Sequence, residues 1–543
     1  MISLTGRCTN WTAAWLFESM YTYNLAIRFE HIVESYPGHI ALWFNEHETY
    51  SYIELNQRAN RLARLLQQEG LDSGDVVCIS GSKSIHTFSL MLACLKLGIA
   101  YSIFDPDSPL ERLRKIFLTC RPHLVAAEGS LLNSLDNSLT ELLISSINAD
   151  ELVNRMSSFE DTNMQVSATI TGTTPAYIMF TSGSTGVPKG AVMTHVNVLN
   201  LLAWSRVTYR ITPADILTNL NPLYFDNSVF DFYSSIFNGA CLVPFSKQET
   251  RNPKVLVEKI DAAGCTLWFS VPSLLIFLQT LKATDGRYLR SIKRFVFGGE
   301  GYPKPKLKAL FDIYSNTSEF FNVSGPTECT CICSSYKITV DDFVDLQGFP
   351  PLGSIASNFS YLILDDENKI VPDGELGELC LLGPNVGLGY YNDPERTAAN
   401  FVQNPYNEVF REIMYKTGDL IRLDTADGKL YIHGRKDNQI KHMGYRIELE
   451  EIENALHRIP YVMEAVALHS NSSGSSRITA VVAVRQPVGD DQIRQDLRKL
   501  IPDYMIPSQF YYETVLPKNS NGKVDRKQLK EKYLTPDGER QTK

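Results

Sequence analysis

The sequence YIMFTSGSTGVPKGAVMTH occupies Tyr177–His195 and gives the strongest indication of the fold. The apolar run Ala176–Phe180, in which this stretch begins, is a predicted strand. In α/β folds, ligands bind at the ends of strands. After this run come hydroxyl side chains, glycines and a lysine, namely Thr181, Ser182, Gly183, Ser184, Thr185, Gly186 and Lys189. Glycines let backbone N–H groups approach an anion closely, hydroxyls add donors, and the lysine adds positive charge. The pattern predicts an anion-binding loop.

Outward from this loop, the chain alternates helical and strand patterns. Apolar residues at helical spacing predict helices over Tyr52–Glu69 and Ser84–Leu97, with Gly70 and Gly98 where C-terminal caps are common. Asp75–Ile79 is predicted to be a short buried strand. The alternation continues to about residue 360 and predicts an α/β fold of stacked subdomains with largely parallel sheets.

After residue 360, short strands separated by Asn, Asp, Gly and Pro predict a small β-rich subdomain. Further on, a helix over Leu449–Arg458, strands over Ala465–His469 and Arg477–Val484, and a helix over Asp490–Leu500 predict a compact α/β domain. A chain of 543 residues exceeds what one core supports. We therefore expect an N-terminal core over residues 1–434, a hinge over 435–438, and a mobile C-terminal domain over 439–543.

The composition excludes several classes of protein. A net charge of -9 argues against a surface that grips nucleic acid, and 44% hydrophobic with 21% charged residues is typical of globular protein. The N-terminus has no secretory pattern, and the longest apolar stretch, Leu90–Phe104, is shorter than the roughly 20 residues that span a bilayer. We expect a soluble cytoplasmic protein without a nucleic-acid or membrane partner.

Ten cysteines without short regular spacings do not indicate a disulfide framework. Cys329, Cys331 and Cys333 could present three thiols on one face of a strand, because alternate strand residues point to the same side. A structural zinc site would need a fourth ligand nearby. The favoured interpretation is therefore three small apolar side chains on a buried strand.

Taken alone, the loop at Thr181–Lys189 is also compatible with a flexible surface turn, and it lacks the Gly-Lys-Ser/Thr order of a Walker loop. Six other stretches change this interpretation. Together with the loop, they resemble the ordered motifs of the acyl-adenylate-forming superfamily, which includes acyl-CoA synthetases, luciferases and the adenylation domains of nonribosomal peptide synthetases. They are LKLGIAYSIFDPDSPLERL at Leu95–Leu113, FNVSGPTE at Phe321–Glu328, GELGELCLLGPNVGLGYYNDPERT at Gly374–Thr397, YKTGDL at Tyr415–Leu420, GRKDNQIKHMGYRIELEEIE at Gly434–Glu453 and LPKNSNGKVD at Leu516–Asp525.

The resemblance implies that a carboxylate oxygen attacks the α-phosphorus of ATP, so that magnesium and cationic side chains must offset the charges. It implies that Glu328 holds Mg²⁺, that Thr327 and Lys189 contact phosphate, and that Lys523 bridges the substrate carboxylate and ATP. Asp419 and Arg435 resemble the residues that bind the ribose. The remaining nucleotide contacts that it implies are Gly299, Glu300, Asn322 and Ser324 together with the loop residues. Each of these residues alone would be an ordinary turn residue or solvated charge.

Two residues near the predicted domain boundary resemble those of a moving domain. Asp437 matches the hinge position, at which the C-terminal domain rotates and carries Lys523 away for thioester formation. Gly444 resembles the glycine that lines the tunnel for the incoming thiol arm. The resemblance implies phosphopantetheine on a carrier protein as the acceptor.

The segment NPLYFDNSVFDFY at Asn221–Tyr233 resembles the amino-acid-selecting segment of peptide synthetase adenylation domains. It implies that Asp226 pairs with the substrate ammonium; alone, Asp226 could equally cap the helix before Ser228. The other implied pocket residues are Asn227, Phe230, Phe269, Val296, Gly298, Val323, Cys331 and Ile332. Because this lining is almost wholly apolar, it predicts an apolar amino acid similar to valine or isoleucine.

Three residues depart from the family pattern. Ser324 stands where a tyrosine usually stacks on adenine, so that contact should weaken unless Tyr302 or another aromatic residue compensates. Met443 replaces a frequent basic residue, and Asn227 is uncommon among α-amino-acid selectors. A β-amino or nonproteinogenic acid therefore remains an alternative substrate. An acyl-CoA synthetase and a relative without activity remain alternative functions, and the chain is either a stand-alone enzyme or a domain of a longer synthetase.

Overall fold

The computed structural model describes residues 22–142, 144–472, 475–519 and 524–534. The strands are β1 Ile40–Asn45, β2 Glu48–Ser51, β3 Val76–Ser80, β4 Ala100–Phe104, β5 Leu124–Ala127, β6 Ser145–Asn148, β7 Pro175–Thr181, β8 Lys189–Thr194, β9 Ile216–Asn219, β10 Cys241–Pro244, β11 Leu267–Ser270, β12 Arg294–Gly298, β13 Glu319–Ser324, β14 Ser334–Lys337, β15 Ser354–Ile355, β16 Ser360–Leu364, β17 Leu376–Leu382, β18 Gly389–Tyr390, β19 Phe401–Gln403, β20 Ile413–Leu423, β21 Leu430–Arg435, β22 Gln439–His442, β23 Tyr445–Glu448, β24 Val462–Ser472, β25 Ser475–Val484 and β26 Gln509–Tyr512.

The helices pack around these strands. They are α1 Leu25–Ser35, α2 Tyr52–Gln68, α3 Ile85–Leu97, α4 Leu110–Cys120, α5 Gly129–Glu141, α6 Ala149–Met156, α7 His195–Tyr209, α8 Asn227–Ile236, α9 Lys247–Thr250, α10 Pro253–Ala263, α11 Pro272–Thr280, α12 Lys304–Tyr314, α13 Pro394–Asn400, α14 Leu449–His457, α15 Asp490–Leu497 and α16 Arg526–Tyr533. In the part of the chain that the structure describes, none of them is long and apolar enough to cross a membrane.

Two large sheets form the N-terminal part. One has the order β18-β8-β7-β4-β3-β5-β6, and the other has the order β15-β14-β13-β12-β11-β9-β10-β1-β2. Their central strands are parallel, and antiparallel strands lie at one edge of the first sheet and at both edges of the second. The predicted α/β fold with largely parallel sheets is confirmed.

Aromatic residues join the two sheets into one core. Phe88 of α3 stacks on Phe232 of α8 with ring centroids 5.8 Å apart, and the hydroxyls of Tyr101 and Tyr233 lie 2.8 Å apart. Both helices are buried along most of their length, because each is covered on both sides by a sheet or another helix. This packing fixes α8 beside the end of β7, where the predicted loop begins.

The predicted helix boundaries agree with the local chemistry. The Ser51 and Glu54 side chains form a capping box at the start of α2, and Ser84 caps α3, which ends at Gly98 with a φ of 70°. The β-rich subdomain is the sheet β16-β17-β20-β19 with β21 on β20. The C-terminal part comprises the hairpin β22–β23, the sheet β24-β25-β26 and their helices, and it has a core of its own.

The cysteine cluster differs from its prediction. Cys329, Cys331 and Cys333 are buried as expected, but they lie on a turn and not on a strand. Thr330 and Cys331 have φ values of 61° and 74°, and β14 begins only at Ser334. Among the described residues, no group of three or more metal-ligating side chains comes together.

Candidate active site

The predicted anion loop is a tight connection between two antiparallel strands. Thr181 at the end of β7 pairs with Lys189 at the start of β8, and the N–H of Gly186 donates to the Gly183 carbonyl at 2.8 Å. Gly186 has a φ of 76°, a conformation that favours glycine. The Thr181 hydroxyl is buried and accepts or donates no hydrogen bond among the described residues. An unpaired buried donor at a glycine-rich turn fits a phosphate oxygen.

Glu328 lies at the centre of a buried charge cluster. Its carboxylate accepts hydrogen bonds from Arg446 at 2.6 Å and from the Tyr390 hydroxyl at 2.7 Å, and Lys189 Nζ lies 3.5 Å away. Burial alone would raise the pKa of Glu328, but the charges of Arg446 and Lys189 hold the pKa well below its usual range. Burial lowers the pKa of Lys189. Glu328 is therefore ionised, as a cation ligand must be.

A single carboxylate is a fitting ligand for Mg²⁺, which usually takes one or two protein carboxylates and completes its shell with substrate phosphates and water. Both Glu328 oxygens are engaged in this conformation, one by Tyr390 and the other by Arg446. A metal ion on Glu328 would lie close to the Arg446 guanidinium, and two cations on one carboxylate repel each other. A metal and Arg446 would therefore compete for Glu328.

Arg446 comes from the C-terminal part, which docks on the anion loop. Ser182 Oγ donates to the Arg446 carbonyl at 2.8 Å and accepts from the Glu448 N–H at 3.2 Å. The Gly183 N–H donates to a Glu451 carboxylate oxygen at 3.3 Å, and the other Glu451 oxygen pairs with Arg112. A carboxylate therefore occupies a donor that the resemblance assigns to phosphate.

The rest of the loop is held by three further side chains. Asn454 of α14 donates to the Ser184 carbonyl at 3.1 Å, and Lys115 of α4 donates to the Gly186 carbonyl at 2.8 Å. Arg396 hydrogen-bonds the Thr185 hydroxyl. Four of the residues around the loop lie within the family motifs, but the sequence alone predicted no role for any of them. They are Tyr390, Arg446, Glu448 and Glu451. The alternation of Arg446 and Glu448 on one strand was the available signal, since it puts both on one face.

The predicted ribose and hinge residues form a second chain of charges. Arg435 pairs with Asp419, and its Nε and Nη2 donate to the two Asp437 carboxylate oxygens at 2.7 Å each. Only residues 436–438 separate β21 from β22. Asp419, Arg435 and Asp437 line a cavity of about 820 Å³ between the two parts of the chain. Glu300 and Met443 line the same cavity. Glu300 accepts the Gly444 N–H, which brings the predicted tunnel glycine to this cavity.

The predicted amino-acid pocket also comes together. Thr327 Oγ1 donates to Asp226 Oδ2 at 2.6 Å, and burial raises the pKa of Asp226. The Asp226 side chain makes no helix-capping hydrogen bond among the described residues, so the capping alternative is not what this structure shows. The rings of Phe230 and Phe269 lie 4.9 Å apart at an angle of 72°. Val296, Val323, Cys331 and Ile332 are buried with them in one cluster.

The flanking positions have structural roles as well. Val296 and Gly298 lie on β12 beside Phe269 on β11 and Val323 on β13. Asn227 begins α8, and its amide nitrogen is 3.6 Å from the position that a Cβ on Gly299 would take. Asn322 donates to the Pro351 carbonyl at 2.9 Å. Lys523 lies outside the described residues, so its predicted role stays a prediction.

Comparisons with known proteins identify the family. The family model described as AMP-binding enzyme matches residues 29–391, and that of the AMP-binding enzyme C-terminal domain matches residues 451–523. Bacitracin synthase 1 of Bacillus licheniformis is 32% identical over 93% of this chain and 9% of its own length. Zwittermicin A synthase ZmaJ of Bacillus cereus is 31% identical over 92% of this chain and 93% of its own length.

Solved structures share the fold at lower identity. An artificially fused adenylation–PCP di-domain, NpsA-ThdA from Klebsiella oxytoca, is 22% identical with a TM-score of 0.78, over 90% of this chain and 94% of that one. A double mutant of o-succinylbenzoate CoA synthetase from Bacillus subtilis is 23% identical with a TM-score of 0.80, over 93% of this chain and 98% of that one.

The fold and the matched family models together define an AMP-binding enzyme whose large core carries the anion loop and whose smaller C-terminal part docks on it. The chain belongs to the AMP-binding enzyme family and is related to the adenylation domains of nonribosomal peptide synthetases. It spans 9% of the length of bacitracin synthase 1 and almost the full length of ZmaJ.

Proposed function

We propose that the enzyme activates an amino acid with ATP, forms aminoacyl-AMP and pyrophosphate, and transfers the aminoacyl group to the phosphopantetheine thiol of a carrier protein. Residues 1–434 form the core that binds both substrates, residues 435–438 form the hinge, and residues 439–543 carry Lys523 to the site for the first step. Glu328 holds Mg²⁺, Lys189 and Thr327 contact phosphate, and Asp419 with Arg435 binds the ribose.

The observation that carries the amino-acid proposal is Asp226. This side chain is partly buried, its described hydrogen-bond partner is Thr327, and the charges of Arg446, Glu328 and Lys441 also act on it. Burial outweighs the cations and raises its pKa, so ionisation is disfavoured in the empty site, and an alkyl or aryl acid would not improve it. The ammonium of an amino acid would complete the ion pair, so the site favours that class of carboxylate.

The rest of the pocket supports an apolar side chain. Phe230 and Phe269 pack edge to face, and Tyr209 packs against the Phe230 ring with centroids 5.4 Å apart. Aliphatic and thiol side chains of the same buried cluster complete the lining. A second acid on α8, Asp231, accepts from Asn219 and Asn221 at 3.0 Å each and is engaged in the helix–strand packing. We therefore propose a substrate similar to valine or isoleucine. Asn227 favours a β-amino or nonproteinogenic acid as the alternative.

ATP–pyrophosphate exchange tests the first half-reaction. The purified chain is assayed with α-amino, β-amino, hydroxy and aryl acids. We expect exchange with Val, Ile or Leu, or with a β-amino analogue, and none with fatty or aryl acids. Exchange with Asp, Lys or Arg alone would contradict the apolar pocket, and exchange with aryl or fatty acids alone would contradict the role of Asp226.

The acceptor is tested separately, because the CoA synthetase likeness shows the fold alone. After aminoacyl-AMP has formed, the enzyme is given coenzyme A or a carrier protein bearing phosphopantetheine. We expect a thioester on the carrier. A thioester on coenzyme A alone would favour the acyl-CoA synthetase alternative, and the exchange assay is unaffected by either outcome.

A further inference from the structure

Ser324 leaves the predicted adenine contact without its usual ring, and Tyr302 does not replace it. Tyr302 is fully buried, its ring packs against Phe297 at 5.0 Å, and its hydroxyl donates to Gln279 at 3.2 Å. Its ring therefore belongs to the core beneath the site. Any aromatic surface for the base must come from another segment.

Phe349 lies where such a ring is needed. A Cβ placed on Gly301 would lie 2.7 Å from two Phe349 ring carbons, so the ring lies directly against the Gly301 backbone. Gly301 follows Gly299 and Glu300, which are predicted to contact the nucleotide. The same cavity is lined by Phe349, Gly301, Asp419 and Arg435, which puts the ring in one space with the predicted ribose residues.

The backbone holds this ring in place on both sides. The Lys304 N–H donates to the Gly348 carbonyl at 3.2 Å, and Asn322 Nδ2 donates to the Pro351 carbonyl at 2.9 Å. Asn322 and Ser324 are alternate residues of β13 and face the same side of the sheet. The segment that carries Phe349 therefore packs against the face on which a residue-324 ring would stand. Phe349 nevertheless keeps 40% of its surface exposed, which leaves a face for a ligand.

We infer that Phe349 supplies the aromatic surface on which the adenine of ATP stacks, in place of the ring that Ser324 lacks. Base stacking is sequence-tolerant and needs only a π-face at the right place, so it can be provided from a different segment. This inference rests on the proposed use of ATP. It assigns base recognition to the segment 348–351, which no motif of the sequence identified.

The test is equilibrium binding of AMP by calorimetry, with ribose 5-phosphate as a ligand that lacks the base. We expect Phe349→Ala to weaken AMP binding by about 5- to 140-fold, the range that the loss of one stacking contact gives. Ribose 5-phosphate should bind wild type and variant equally. Phe349→Tyr should retain AMP affinity, and Ser324→Tyr should restore it in the Phe349→Ala background.

Two further variants make the test specific. Phe410→Ala removes a ring that is 63% exposed and lies outside this cavity, and it should change nothing. Phe277 lines the same cavity from α11 with 38% exposure, so an effect of Phe277→Ala alone would overturn the assignment. Unchanged or tighter AMP binding by Phe349→Ala would also overturn it. Wild-type protein that binds no AMP would instead contradict the proposed function itself.

Discussion

Asp226 links the chemistry of a single side chain to the choice of substrate. Its carboxylate accepts a hydrogen bond from the Thr327 hydroxyl, and burial raises its pKa above the ordinary 3.8. Binding of an ammonium would reverse this shift, because an opposite charge favours the ionised form. The role proposed for Asp226 is therefore to recognise the substrate ammonium through its charge.

Replacement of Asp226 by Asn should lower kcat/KM for the amino acid by about 30- to 4,000-fold, since a desolvated partner of a charge pair contributes roughly 2–5 kcal/mol. Pyrophosphate exchange at varied amino-acid concentration measures this effect. Asp491→Asn, at a fully exposed carboxylate, is the matched control and should have no effect. An equal loss in both variants would contradict the role of Asp226.

The pH dependence of substrate binding follows from the same carboxylate. Because the pKa of Asp226 in the free enzyme is raised, protonation begins at a higher pH than for an ordinary aspartate as the pH falls. Only the ionised form pairs with an ammonium. We expect KM for the amino acid to rise on acidification within the weakly acidic range, and the Asp226→Asn variant to lack this rise. A KM profile identical in both proteins would contradict the prediction.

At the scale of elements, three parallel strands depend on one buried ion pair. Asp215, just before β9, pairs with Arg294 at the start of β12 and accepts from Thr266, which precedes β11, at 2.7 Å. Burial opposes ionisation of Asp215, but Thr266 and Arg294 more than offset it and lower the pKa of this carboxyl. The pair joins the ends of strands that carry Phe269 and Val296.

Asp215→Asn should destabilise the N-terminal core by about 3–5 kcal/mol, because it leaves the Arg294 charge buried without its partner. Since the pKa of Asp215 is lower in the folded than in the unfolded state, its contribution is present above pH 3.8 and is lost as the pH falls through the folded value. Urea unfolding measures both effects. Asp285→Asn, in an exposed pair with Arg287, should cost less than about 1 kcal/mol.

The hairpin β22–β23 is the element that brings Arg446 to Glu328. Arg446→Ala should loosen docking, so that trypsin cleaves between β21 and β22 several-fold faster. Transfer to the thiol should slow while pyrophosphate exchange is retained. Arg498→Ala, in an exposed pair with Asp503, is the control and should leave both rates unchanged. Equal cleavage rates in Arg446→Ala and wild type would contradict the docking role.

The elements were predictable where local patterns define them, as for α3 between Ser84 and Gly98. Residues of named motifs that lie far apart in the chain, such as Asp226 and Thr327, come together in the structure, while their roles in binding and catalysis stay predictions. The partners of Glu328 were not predictable, because Arg446 lies 118 residues away and its position depends on how two domains meet. The turn at Thr330 and Cys331 was also missed, since a positive φ at non-glycine residues has no strong sequence signal.

The whole molecule has two parts that meet at the anion loop. Glu451 hydrogen-bonds Gly183, and Arg446 pairs with Glu328, so the docked domain supplies one negative and one positive group to this site. These groups occupy places that ATP phosphate and Mg²⁺ are proposed to take. Ligands that need those places should favour the undocked arrangement by mass action.

Magnesium pyrophosphate should therefore increase trypsin cleavage between β21 and β22 in the wild-type protein in a saturable manner. Pyrophosphate with EDTA should have a weaker effect, because Glu328 then has no metal to bind. Glu328→Gln removes the charge that Arg446 and the proposed metal share, so in this variant magnesium pyrophosphate should act no more strongly than pyrophosphate with EDTA. If magnesium pyrophosphate protects the wild-type protein from cleavage, the proposed competition is wrong.

Three residues connect β21 to β22, and Glu328 is shared between Arg446 and the proposed metal. Both features bear on how the reaction would proceed in a cell. On the proposed function, pyrophosphate must leave before the docked arrangement can form, so turnover should depend on how quickly the surroundings consume it. Where a hydrolase keeps its concentration low, the acyl group should move forward to the acceptor. Where pyrophosphate accumulates, the acyl-adenylate should be converted back to ATP and the free acid.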